Sequence, residues 1–106
     1  MTMAKKFPDK TPDEKKLCTF DFTNEVTTGS TISSPVAEKE LLSGDDTGAS
    51  LLTLGTPAVE PGTALVKMLI GGGKDGSKYK VTMTVTADNS EIHELAGVMA
   101  VKTAAA

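Results

Sequence analysis

The 106 residues predict an all-β protein, an antiparallel sandwich of about six or seven strands preceded by an extended N-terminal arm. Three observations predict it. From Lys78 to Thr86 the chain alternates without a break, with Tyr79, Val81, Met83 and Val85 on one side and Lys78, Lys80, Thr82, Thr84 and Thr86 on the other. A strand puts such residues on two opposite faces, whereas a helix would spread the apolar ones around its circumference. Clusters of Gly, Pro, Asp and Ser recur at intervals of roughly ten residues, the rhythm of a sandwich or barrel. No segment leaves room for a crossover helix, which removes parallel βαβ units.

The elements follow in order. Residues 1–15 hold Pro8 and Pro12 and show no period of either kind. Proline biases the residue before it towards extended geometry. This stretch reads as an arm, either a loose terminus or a segment that orders against a neighbouring subunit with Phe7 as its apolar anchor. On this reading the body, residues 16–103, folds without it. Cys18, Phe20 and Phe22 alternate with Thr19 and Asp21 as a half-buried strand. A turn follows over 27–30. Thr31–Val36 is a weaker strand, and Pro35 inside it points to an edge. Ala37–Leu42 is too short for an independent helix and reads as strand or connector.

Residues 43–48 (SGDDTG) form a loop, and Ala49–Leu54 a further strand ended by Gly55 and Pro57. Glu60-Pro61-Gly62 marks a turn. Thr63–Ile70 is almost continuously apolar, as a central strand is. The glycine-rich run 71–76 breaks the pattern before the alternating strand. Residues 88–90 make the next turn, and Glu91–Lys102 the last strand, with Gly97 as a bulge or bend. Ala104–Ala106 reads as a frayed tail.

Composition excludes several classes. All eleven cations are Lys, and the net charge is −3. Nucleic-acid binding relies on a basic face and on arginine, so none is expected. The positive residues concentrate in the first sixteen positions, which carry a net +2 beside an acidic body. No apolar run approaches the roughly 18 residues of a membrane helix, no amphipathic helix offers membrane attachment, and no signal peptide is evident. Cytoplasmic synthesis is expected. Cys18 is the single cysteine; with no intrachain disulfide possible, it reads as a small buried hydrophobe. With no Trp, one Tyr and three Phe, the core has to be aliphatic.

Asp75-x-Ser77-x-Tyr79-x-Val81 has the spacing of the tyrosine corner of immunoglobulin-like domains. There a Tyr near a strand's start packs its ring on the core while its hydroxyl bonds to backbone a few residues upstream. This narrows the prediction to an immunoglobulin-like sandwich, with Asp75 and Tyr79 as the corner residues.

Few residues are arranged for chemistry. His93 has Glu91 and Glu94 close in sequence, but one histidine supplies neither a triad nor a zinc site. Gly71-Gly72-Gly73-Lys74 lacks the spacing of a phosphate loop and is followed by no helix. Asp45 and Asp46 do not match a calcium loop. Glu38 and Glu40 share a strand face and read as solvated. No catalytic residue, metal or cofactor is expected, and the protein reads as a non-enzyme.

Several segments together resemble small phage virion proteins of immunoglobulin-like fold. They are Phe7-Pro8-Asp9-Lys10-Thr11-Pro12-Asp13-Glu14, Thr19-Phe20-Asp21-Phe22, Gly29-Ser30-Thr31-Ile32-Ser33, Ile70-Gly71-Gly72-Gly73 and Tyr79-Lys80-Val81-Thr82-Met83-Thr84-Val85. Such proteins often carry a Trp after the first strand, where Thr23 follows Phe22 here, and residues 34–62 match no part of the pattern. The resemblance implies a virion component, assembled in the host cytoplasm, that works as a capsid decoration or as a neck, tail or fibre adaptor. Its partners would be other virion proteins and copies of itself, with Phe7, Pro8 and Pro12 in an interacting arm. A surface- or carbohydrate-binding adhesion module is the alternative, weakened by the scarcity of aromatic residues for sugar stacking.

Overall fold

The computed structural model describes residues 5–7, 9–26 and 30–102. Pro8, most of the turn expected over 27–30 and the tail at 104–106 lie outside them. The described residues form a β-sandwich of two sheets. The strands are β1 (Lys5–Lys6), β2 (Lys15–Asp21), β3 (Ile32–Ser43), β4 (Leu52–Leu54), β5 (Ala58–Val59), β6 (Leu65–Gly72), β7 (Ser77–Ala87) and β8 (Ile92–Val101). The first sheet has the order β1-β8-β7-β3; the second runs β2-β6-β4, with β5 also on β6. All pairings are antiparallel except that of β1 with β8, which is parallel.

β7 behaves as its alternation predicts. Tyr79, Val81, Met83 and Val85 are fully buried, while the threonines between them are half-buried on the outer face. Val66, Met68 and Ile70 of β6 face them from the second sheet with Cys18, Phe20 and Phe22. The apolar run expected over 63–70 is the central strand β6, and it alternates too: Lys67 and Leu69 point outward. Cys18 is buried, as a small apolar residue.

Several expectations change. Residues 31–36 and 37–42 are not separate pieces but one edge strand, β3. Pro35 sits where its register against β7 slips, between Ser33 and Val36; a bulge is where a strand tolerates a residue without an N–H. The strand expected over 49–54 shortens to Leu52–Leu54, because Thr47–Ala49 coils into a 3-10 turn. Gly97 is neither bulge nor bend: β8 keeps unbroken register with β7 through it, opposite Val81.

Gly97 is needed for another reason. A Cβ there would run into the ring of Phe7. Phe7 is buried, packed edge-on against Phe20 with ring centroids 5.4 Å apart. The stretch expected as an arm therefore lies along the body over its described residues. Phe7 donates its backbone N–H to the carbonyl of Val98, and Lys10 donates to Ala100 and accepts from Lys102. Phe7 plugs the seam between β8 and β2, so the body's core includes it and is incomplete without it.

Phe7→Ala is expected to cost about 3–5 kcal/mol, as for other buried phenylalanines, and Gly97→Ala about 1–3 kcal/mol through overpacking. Combined, they are expected to cost less than their sum, since the clash needs the ring. Denaturant unfolding of the three variants measures all of this.

Candidate interaction surface

The chain passes from β3 in the first sheet to β4 in the second across one end of the sandwich, and this crossing needs an anchor. Asp46 supplies it. The residue is 3% exposed. Its carboxylate accepts from the Ser50 hydroxyl at 3.0 Å, from the Leu51 backbone N–H at 2.9 Å and from the Tyr79 hydroxyl at 2.8 Å. The same Tyr79 oxygen accepts the backbone N–H of Lys74 at 2.8 Å. One phenol thus ties the crossing loop, the 73–76 turn and β7 together. Asp75, expected with Tyr79 as a corner residue, lies exposed in the turn; the carboxylate bonded to Tyr79 belongs to Asp46. In the sequence, Asp46 stands beside Asp45 and suggests no more than a calcium ligand. Its partner is 33 residues away, and no spacing rule connects them.

Electrostatics follow from these bonds. Burial by itself would push the Asp46 carboxyl up. The hydrogen bonds from Tyr79, Leu51 and Ser50 together outweigh burial and hold the group below its ordinary 3.8. Burial pushes the Tyr79 phenol above its ordinary 10.0, and Asp46 adds to the effect.

A second buried polar group lies at the same end. Lys10 is 1% exposed and donates its ammonium to the carbonyls of Thr11 and Gly72, joining the N-terminal segment to β6. Burial lowers its pKa, opposed by Glu14 and Asp13. The Thr11–Glu14 turn, with Pro12 half-buried within it, is closed by two bonds: Thr11 N–H to the Glu14 carboxylate at 2.7 Å and Glu14 N–H to the Thr11 carbonyl at 3.1 Å. The Thr11 N–H is the main reason Glu14 titrates below its ordinary value. A net positive lead-in gave no hint that one lysine would be internal.

The outer faces differ. On the first sheet Glu38, Glu40, Lys80, Thr82 and Glu94 border a shallow depression of about 390 Å³. His93 lies towards one end of β8, 3.3 Å from the exposed Glu91 carboxylate. On the second sheet Leu17 and Leu69 stand opposite each other in register, 60% and 48% exposed. Beside them a depression of about 250 Å³ is lined by Lys15, Thr53, Leu54, Gly55, Leu69 and Gly71. Among the described residues no group of three or more His, Cys, Asp or Glu could hold a metal ion, and no helix is long and apolar enough to cross a membrane. What the geometry offers is two broad, differently dressed sheet faces on one rigid body.

A family model described as Podophage GP4 fiber-tail adaptor protein gp77 matches residues 10–99. The chain belongs to this family. Among curated proteins, none matches it. The adaptor is therefore a bacteriophage structural protein of the virion, in a family that generally works by holding other proteins rather than by catalysis. The match begins at Lys10, the buried lysine, and takes in the whole of β2 to β7. It covers residues 34–62, the stretch outside the resemblance to small phage virion proteins.

Two measurements check the anchor. Tyr79→Phe is expected to lower stability by about 1–2 kcal/mol, because it removes one donor and leaves the Lys74 N–H without its acceptor. The depressed Asp46 pKa contributes stability that is complete above the ordinary aspartate value and lost as pH falls through the folded one. Unfolding midpoints between about pH 5 and about pH 2 should fall less steeply in Asp46→Asn than in the native protein. Glu14 supplies a residual slope of the same sign.

Proposed function

We propose that this protein joins the podophage tail to its fibre, binding both through the outer faces and the loops of a rigid immunoglobulin-like sandwich. The family match across residues 10–99 carries this reading. The strand order supports the finer fold. The sheet β2-β6-β4 corresponds to strands B, E and D of an immunoglobulin domain, and β3-β7-β8 to C, F and G. On that correspondence Tyr79 stands near the start of strand F, where a tyrosine corner belongs, and its bond to Lys74 N–H is the backbone contact such a corner makes.

An adaptor must hold its shape while two larger structures pull on it. Anchors at Asp46–Tyr79 and at Lys10 serve that need, as does the burial of Phe7. With Phe7 inside its own core, the contacts with other virion proteins fall to the exposed strands. The charged face around Glu38, Glu40, Lys80 and Glu94 is the one we assign to a virion partner. It combines both signs of charge with a threonine ladder, the mixture typical of the polar part of a specific interface. Many copies on one particle would multiply modest individual contacts.

Particles assembled without this chain are expected to have complete tails that lack fibres. Purified protein added back should restore fibre attachment, seen by electron microscopy. A variant with Glu38→Lys and Glu40→Lys should fold normally and restore less. Full fibre attachment to particles lacking the chain would overturn the reading.

A further inference from the structure

The outer face of the second sheet is complementary to itself. Its rows, read from the β2–β6 register, are Lys15 with Gly71, Leu17 with Leu69, Thr19 with Lys67, and Asp21 with Leu65. Positive charge and a missing side chain stand at one end; negative charge and a leucine stand at the other. The two leucines exposed at 60% and 48% lie between. Among the described residues the other exposed large hydrophobics are Val36, Leu42, Leu51 and Ile92, and no two of these are paired in register.

We propose that this face packs against the same face of a second copy of the chain about a two-fold axis. The axis lies over the Cys18–Met68 pair, at the centre of the rows, and runs across the strands. Rotation about it exchanges the first row with the fourth and the second with the third. Lys15 of each copy then meets Asp21 of the other, so the contact carries that ion pair twice. Leu65 comes down on the depression beside Gly71, whose wall is the Lys15 stem, Thr53 and Leu69. Leu17 and Leu69 of each copy come down on Thr19 and on the aliphatic stem of Lys67 of the other, so the leucines of the two copies meet only diagonally across the axis.

Each feature is ordinary alone, since scattered surface leucines need no explanation. Their arrangement suits an isologous contact at the outer rows, where Lys15 finds its complement in Asp21 and Gly71 finds its complement in Leu65 at the positions two-fold rotation reaches. Stacked sheets cross at about 30°, an offset that a lysine side chain can span. The broad side of a molecule measuring 47 × 23 × 19 Å is wide enough for the roughly 800 Å² per partner of a specific contact. Lys15 has no carboxylate within ion-pairing distance among the described residues, and Lys67 keeps its own pair with Glu60 at 3.2 Å. The contact goes beyond the adaptor reading and is tested separately from it.

The test is the mass of the purified full-length chain by sedimentation over a concentration series. The native protein is expected to be a dimer. Lys15→Asp and Asp21→Lys should each raise the dimer dissociation constant by about tenfold or more, because two attractive contacts become repulsive. Equimolar mixing of the two variants should restore association, as should placing both changes in one chain, since every contact then pairs opposite charges again. Leu17→Asp should give a monomer with an unchanged denaturation midpoint, which separates loss of contact from loss of fold. A native chain that stays monomeric overturns the proposal, including the case where Leu17→Asp then impairs only binding to tails, which would assign the face to another virion protein. Failure of either charge exchange to restore the dimer overturns it as well. Fibre attachment is read on particles and does not depend on these results.

Discussion

The buried side of β7 is the surface against which the rest of the chain is arranged. Tyr79, Val81, Met83 and Val85 give the first sheet an unbroken apolar stripe. β3 and β8 flank β7, and the second sheet closes over its inner face with Val66, Met68 and Ile70. No disulfide backs this up, so burial and end anchors hold the two sheets together. At about 1.5–3 kcal/mol for each fully buried large apolar side chain, the core has to be nearly complete to offset the entropy of ordering the chain. That explains why Phe7, from far outside the main strands, is drawn in to fill the seam beside Gly97.

The polar anchors sit at the end where the chain crosses between sheets. A loop crossing there exposes backbone groups that the ladders do not satisfy, and each buried one left unpaired is costly. Asp46, Tyr79 and Lys10 meet that demand with side chains: a carboxylate that collects three donors, a phenol that both gives and accepts, and an ammonium that takes two carbonyls. Their titration behaviour follows from that packing. The carboxylate is held low because its bonds outweigh burial, while the lysine is lowered because burial outweighs its neighbours. These groups rigidify one end of the body and leave the sheet faces available, a division of labour suited to a protein whose family holds tail and fibre together.

Much of this was legible in the amino-acid order. Strict period two over 78–86 determined a strand and which residues it buries, because the two faces of a strand allow no other way to segregate those side chains. The same alternation placed β2 and made Cys18 internal, while a nearly continuous apolar run placed β6 and the missing N–H of proline marked Pro35 as an edge residue. Boundaries were harder: β4 is shorter than its apolar run, since the local 3-10 turn at Thr47–Ala49 competes for the first residues.

Tertiary structure alone decided the long-range pairs. Gly97 lacks a side chain because Phe7, 90 positions earlier, occupies the space, and nothing near Gly97 signals that. Asp46 meets Tyr79, and Lys10 meets Gly72, only because the sheets bring their ends together. The outer-face rows joining Lys15 to Gly71 and Asp21 to Leu65 exist only once β2 and β6 are in register. Alternation is written locally because each side chain's direction depends on its own backbone. Contacts between distant segments depend on where the whole core places them, and short-range patterns hold no record of that.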